Sequence, residues 1–233
     1  MTSPSKPPVV AIDGPSSSGK GTVGLQLASR LGWHFLDSGA LYRVVGLMAR
    51  RSGVDLAAAS ALAGVAQAFE VTFRPKLDGT VTVHVGEEDV SDALRTEESG
   101  DAASRVAAIS AVRQALLRKQ HAFRQPPGLV ADGRDMGTTV FPDAIVKVFL
   151  TASAEVRARR RHKQLKEKGS DVNLPRLLNE IRSRDARDVA RPVSPLKPAA
   201  DAHLLDTSDL SISEVVDRIE SLLHRRWGEG RSG

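Results

Sequence analysis

The sequence predicts an α/β fold, a three-layer, doubly wound parallel sheet of five strands. Three observations predict it. Five short apolar runs, rich in β-branched residues, read as buried strands: Val9–Ile12, Trp33–Leu36, Leu129–Ala131, Ile145–Leu150 and Leu204–Leu205. Segments with helical spacing of apolar residues separate them, which implies parallel strands joined by crossovers. Polar clusters follow the runs, at Asp13-Gly14, Asp37-Ser38-Gly39 and Asp132-Gly133-Arg134-Asp135. On an open α/β sheet, ligands bind beyond those strand ends.

The elements follow in order. Residues 1–7 read as a disordered tail. After the first strand and a Gly/Ser loop, Val23, Leu27 and Leu31 recur every four residues, a helix over about Lys20 to Leu31 that Gly32 can stop. Residues 40–51 and 55–68 read as helices joined near Gly53. Val71 and Phe73, then Val81, Val83 and Val85, alternate with polar residues around Asp78-Gly79, a β-hairpin signal. An antiparallel hairpin inside such a chain implies an inserted β-rich subdomain, about 69–96. Residues 97–123 read as one helix, with Val106, Ile109, Val112, Leu116 and Leu117 on one side, broken by Pro126-Pro127-Gly128. Residues 153–168 and 174–190 read as two further helices, the first strongly basic. The last runs from about Ser213, a plausible N-cap, to Arg226, and the final residues fray.

The 233 residues suffice for one domain with its own core. There is no cysteine, which excludes disulfides, thiolate metal sites and thiol nucleophiles and fits a reducing cytosol. No secretory h-region opens the chain, and the most apolar stretch, Leu56–Phe69, is too short and too weakly apolar to span a bilayer. A cytoplasmic protein without membrane contact is expected. The net charge of +5 reads as a solvated basic surface, a nucleic-acid surface or a small-anion site, but aromatics are only 4 %, which leaves few stacking platforms for single strands. The six histidines show no metal-ligand spacing.

The strongest local signal is Gly14-Pro15-Ser16-Ser17-Ser18-Gly19-Lys20-Gly21-Thr22, between a strand and a helix. Such a P-loop turns backbone N–H groups inward around phosphate oxygens, places Lys20 at the outer phosphates, and adds the positive end of a helix. Gly21 separates Lys20 from the hydroxyl residue, so Thr22 meets a nucleotide-bound Mg²⁺ either directly or through water, and no side chain is assigned as a metal ligand. In Asp37-Ser38-Gly39-Ala40-Leu41-Tyr42-Arg43, Ser38 offers a hydroxyl and Arg43 a phosphate-binding fork. Arg134 and Asp135 at a strand end pair an anion holder with a carboxylate. The run Arg157 to Lys168 reads as a solvated basic face or as a lid over polyphosphate. On one helix face, Arg184, Asp188 and Arg191 mix two cations with a carboxylate, a set suited to a ribose monophosphate.

Together these segments resemble bacterial cytidylate kinases over about residues 9–222. Asp-Ser-Gly-Ala-Leu-Tyr-Arg, Asp-Gly-Arg-Asp-Met-Gly-Thr and Arg-Asp-x-Arg-Asp, in this order, carry the resemblance. It implies ATP as donor with Mg²⁺, and CMP or dCMP as acceptor. Ser38, Arg43, Arg134 and Arg191 would contact the acceptor's phosphate. Ser104, Arg113 and Asp135 would read the base, and Arg184 and Asp188 would hold the ribose. The lid would span about 155–170, with Arg157 and Arg160 on the phosphates. A monophosphate-binding region would cover about 38–105 within one kinase domain, 1–233. Lys20, Arg134, Arg157, Arg160 and Arg191 form the expected catalytic set. A monomer acting on small molecules, with no nucleic-acid partner, is expected.

Overall fold

A computed structural model of the chain describes residues 6–76, 80–167, 169 and 172–229. Strand β1 (Val9–Asp13) leads through the glycine-rich loop to helix α1 (Lys20–Leu31), then to β2 (His34–Asp37) and α2 (Ser38–Arg51). Helix α3 (Ala59–Ala68) precedes β3 (Val71–Pro75), β4 (Val81–Val85) and β5 (Glu88–Asp89). Three helices follow, α4 (Ser91–Leu94), α5 (Glu97–Val106) and α6 (Ser110–Ala122). The chain returns to the main sheet at β6 (Leu129–Gly133), makes a π-helical turn at Met136–Val140, and continues through β7 (Val146–Thr151). It ends with α7 (Ala154–Glu167), α8 (Leu174–Ala190), β8 (His203–Asp206) and α9 (Ile212–Glu229).

The five expected strands form one parallel sheet in the order β2-β6-β1-β7-β8. Because side chains alternate along a strand, β1 feeds both layers. Val9 and Ala11 join Leu36, Leu41, Val44, Val45 and Leu116 on one face. Val10 and Ile12 join Leu27, Val148, Leu150, Val216 and Ile219 on the other. Each of these side chains is fully or almost fully buried, worth roughly 1.5–3 kcal/mol apiece for the larger aliphatics. The crossing of β1 through the middle of both cores is what makes its carboxyl end a rigid platform.

The hairpin β3–β4 is present and antiparallel, and β5 adds a third strand. Its turn, with Asp78-Gly79, lies outside the described residues. Other expectations need correction. The single helix over 97–123 is two, because the chain is extended at Ile109 (φ −91°, ψ 113°). The guanidinium of Arg113 donates to the carbonyl of Ala107 at 3.3 Å and so closes the end of α5. That break turns Arg113 inward. Helix α3 starts at Ala59, not residue 55. The cap of α9 is Ser211: its hydroxyl accepts from the N–H of Glu214 (3.3 Å) while Glu214 accepts from the N–H of Ser211 (2.8 Å), a reciprocal capping box. Ser213 instead accepts from Arg30. Arg191 is the C-cap of α8 and has left helical geometry (ψ 132°), so it swings off the helix face instead of extending it.

Candidate active site

At the carboxyl ends of β1, β2 and β6 lies a cavity of about 1420 Å³. Pockets for a single small molecule run to roughly 300–1,000 Å³, so this space admits two substrates side by side. One end is the glycine-rich loop. Gly14 (φ +149°) seats it, since a Cβ there would lie 2.2 Å from the carbonyl oxygen of Leu150 in β7. Gly19 (φ +93°) turns the chain into α1, whose first turn carries no acidic residue. Ser17 holds a left-handed conformation (φ +58°) that a non-glycine residue adopts at a cost.

Lys20 is 5 % exposed, donates to the carbonyl of Pro15 (2.8 Å) and stands 3.8 Å from Asp132. Burial, then the nearby Arg134, push its ammonium down to about 8. Burial pushes the Asp132 carboxyl up to about 6 against the pull of Lys20. Asp37 is the register partner of Asp132 on the adjacent strand, so two carboxylates stand side by side below the loop. A Cβ on Gly21 would lie 3.3 Å from Asp132. The glycine that displaces the hydroxyl from the position after Lys20 therefore makes room for this carboxylate. Thr22 lines the cavity one residue further on. The hydroxyls of Ser16 and Ser18 are buried and have no protein partner.

The other end is built from α2, α5, α6, α8 and the segment after β6. Ser38, buried, opens α2 above the N-cap Asp37. The guanidinium of Arg43 donates to the carbonyl of Leu94 (2.7 Å). Asp188 is a hub: it accepts from the Ser104 hydroxyl (3.0 Å) and from Nε of Arg134 (2.9 Å). Burial acting alone would raise the Asp188 carboxyl, but Arg134, Arg184 and Arg191 hold it below the usual range. Arg184 has no partner at Nε, and burial with the nearby Arg134 pushes it down to about 9. Arg191 keeps Nη2 unpartnered and donates from Nε to the carbonyl of Asp188 (3.3 Å). Deeper still, Arg113 and Asp135 form a buried ion pair, with the guanidinium 5.6 Å over the ring of Tyr42.

Every acceptor-side residue singled out in the sequence lines this one cavity, as do Ser16, Ser17, Gly19, Lys20, Gly21 and Thr22. Gly14, Pro15 and Ser18 shape the loop from behind. Arg160 lines the cavity but donates to Thr207. Arg157 stands behind the loop: it pairs with Asp185 (2.5 and 3.1 Å) and donates to the carbonyl of Ser16 (3.1 Å). The sequence reading missed Arg161, which reaches from α7 to Glu97 (2.6 Å) and the carbonyl of Arg95 (3.0 Å). With Arg187–Asp101 (2.6 Å) it joins α7 and α8 to α5 across the cavity mouth. It assigned no role to Asp37 or Asp132 either; carboxylates ending two strands beside a phosphate loop were the available signal.

A buried lysine and a glycine loop at one end of a parallel sheet, with convergent arginines lining the same cavity, mark the class as an ATP-dependent nucleoside monophosphate kinase. The chain belongs to the cytidylate kinase family, whose model, described as "Cytidylate kinase", matches residues 10–225. It is 60 % identical over 215 residues, 92 % of this chain and 94 % of the relative, to the cytidylate kinase of Stutzerimonas stutzeri (strain A1501). It is 54 % identical over 226 residues to that of Aeromonas hydrophila, covering 97 % and 98 % of the two chains. A gluconokinase structure from Sinorhizobium meliloti 1021 superposes with a TM-score of 0.50 at 16 % identity, over 99 % of both chains, which is a likeness of fold. Among the described residues no helix is long and apolar enough to cross a membrane.

Proposed function

We propose that the protein transfers the γ-phosphoryl group of ATP to CMP or dCMP, forming ADP and CDP or dCDP. The observation that carries this reading is the buried Arg113–Asp135 pair, which lines the same cavity as Ser104 and Lys20. Cytosine presents an amino donor next to two acceptors. A carboxylate suits the first, and Arg or Ser suits the others. Uracil would set a carbonyl oxygen against Asp135.

In this reading the loop amides, the hydroxyls of Ser16 and Ser18 and the Lys20 ammonium hold the ATP phosphates. Ser38, Arg43, Arg134 and Arg191 hold the acceptor phosphate, and Arg184 with Asp188 orients the ribose. The acceptor oxygen belongs to a phosphate already ionised near neutrality, so no strong base is required. The loose transition state needs alignment and charge neutralisation, which the convergent cations supply. Arg160 and Arg161 close from α7 over the transferring group and exclude water. Arg157 acts through Ser16, tying the loop to Asp185 in the C-terminal half of α8. The segment 38–105, with the β3–β4–β5 sheet, moves with the acceptor, and about 155–170 is the lid.

The residues also fit a nucleotide-bound Mg²⁺. Asp37 and Asp132 offer two adjacent carboxylates, with Thr22 nearby, and no group of three or more metal-binding side chains exists among the described residues. Magnesium takes one or two carboxylates plus substrate phosphates rather than a full protein cage. When bound, it would neutralise charge on the transferring phosphates. The cavity is complete within one chain and its arginines face inward, which supports a monomer working on small nucleotides rather than on a nucleic-acid partner.

Coupled ADP release with CMP, dCMP, UMP and AMP tests the base assignment. UMP is expected to be used with a kcat/KM roughly 5- to 150-fold below that of CMP, since one mismatched polar contact costs about 1–3 kcal/mol. Equal efficiency on UMP and CMP would remove Asp135 from base recognition. The pH dependence has a sign as well. As pH rises through about 8 the free enzyme loses the Lys20 proton, so kcat/KM for ATP is expected to fall on the alkaline side. Bound polyphosphate favours the ammonium, so the corresponding fall in kcat should come at higher pH. A flat kcat/KM between pH 7 and 10 would contradict this.

A further inference from the structure

Asp13 ends β1 immediately before Gly14, yet its carboxylate points away from the phosphate loop. It accepts from the N–H groups of Met136 (Oδ1, 2.8 Å) and Gly137 (Oδ2, 2.8 Å), the first two residues of the π-helical turn. The ladder between β1 and β6 ends where Asp13 faces Gly133. Arg134 and Asp135 therefore occupy a two-residue span pinned at both ends to the same residue. Backbone register holds Gly133 on one side, and the Asp13 carboxylate holds Met136 and Gly137 on the other. These two residues are the ones proposed to hold the acceptor phosphate and to read its base.

We infer that Asp13 is a positioning residue for acceptor recognition, fixing Asp135 and Arg134 through the backbone that follows them. The inference rests on the reading of Asp135 as base reader. The Asp135 backbone (φ −149°, ψ 26°) lies outside regular helix and strand, and its carbonyl accepts from Thr139 (2.9 Å) and Val140 (3.1 Å) of the same turn whose start Asp13 holds. Both of its carboxylate's close partners are N–H groups, so Asp13 serves as an acceptor. Burial pushes it up to about 7, and those two N–H groups are the largest influences in the other direction.

The donor loop has its own anchors. Gly14 packs on Leu150, Lys20 binds the carbonyl of Pro15, Arg157 that of Ser16, and Thr207 that of Ser18. The effect of losing the brace should thus fall on one substrate only. Asp13→Asn keeps the shape but turns an amide NH₂ toward one of the two N–H groups. It is expected to raise KM for CMP roughly tenfold or more and to erode CMP-over-UMP discrimination, with KM for ATP within about twofold of the parent.

Four proteins decide it: the parent, Asp13→Asn, Asp135→Asn and the double variant, each assayed with CMP and UMP at varied ATP. Both single variants should lose discrimination, and the double should lose little more than Asp135→Asn alone, because one substitution acts through the other. If Asp135→Asn loses discrimination and Asp13→Asn does not, or if the two effects add, Asp13 is not the brace and the base reading stands. If Asp135→Asn retains discrimination, the base reading falls and the inference with it. An equal rise in KM for ATP and CMP would make Asp13 a general structural residue and overturn the inference. Should Asp13→Asn fail to fold, Asp13→Ser, whose hydroxyl can accept one of the two N–H groups, carries the same readout, and unfolding of both also overturns it.

Discussion

Lys20→Ala is expected to lower kcat by roughly 10²–10³-fold or more while the fold persists. The ammonium is almost fully buried, and its partners are one carbonyl at 2.8 Å and a carboxylate at 3.8 Å. That arrangement serves stability poorly: burial has already lowered its proton affinity. The sign follows from linkage. The unfolded chain holds this proton more tightly than the folded chain, so the lysine's contribution to stability improves as pH rises from about 8 towards its ordinary 10.5. Activity should move the opposite way over the same range. Removing the side chain sacrifices charge at the phosphates and one buried hydrogen bond to Pro15, but also relieves the cost of burying the ammonium. A coupled assay and a thermal melt on one preparation check both halves. Near-normal turnover would take the phosphate loop out of the mechanism.

The second large effect is expected at Asp188. Asp188→Ala should cost about 3–5 kcal/mol of stability, the range for breaking one partner of a buried charge pair. It should also abolish measurable turnover with CMP at ordinary concentrations. Asp188 is 2 % exposed and accepts from both Ser104 and Arg134, with Arg184 and Arg191 close enough to hold its carboxyl ionised. Without it three arginines converge on the cavity wall with no carboxylate between them, and Arg184 has already been pushed down by burial and by Arg134. Asp188→Asn keeps the volume and one acceptor, so it should lose less stability than the alanine variant but still lose acceptor binding. Chemical denaturation gives the first quantity and KM for CMP the second. Unchanged stability in Asp188→Ala would show that the carboxylate is not the hub.

Much of the sheet was legible because buried parallel strands are apolar throughout: Val9–Ile12 and Ile145–Leu150 need no partner to be recognised. The phosphate loop was legible because its glycines and lysine stand in a fixed local register. The acceptor residues were legible only as motifs, and their convergence depends on tertiary structure. Ser104, Arg134 and Asp188 come from three distant segments. The break between α5 and α6 carries no glycine or proline; the extended Ile109 goes with an Arg113 held inward on Asp135 and Ala107, partners that lie outside the local pattern. The same is true of Asp13, whose N–H partners lie more than a hundred residues along the chain. The Ser211–Glu214 capping box, by contrast, was readable from its spacing and was passed over for Ser213.

The cavity at the carboxyl ends of the strands holds the donor loop at one end and the acceptor residues at the other, so the central claim is phosphoryl transfer between two nucleotides. Phosphorus-31 NMR of the protein with ATP, Mg²⁺ and CMP follows every phosphorus at once. The expected result is the equal appearance of ADP and CDP as the ATP γ-phosphorus and the CMP resonance decline together. Growth of inorganic phosphate with CMP unchanged would contradict it.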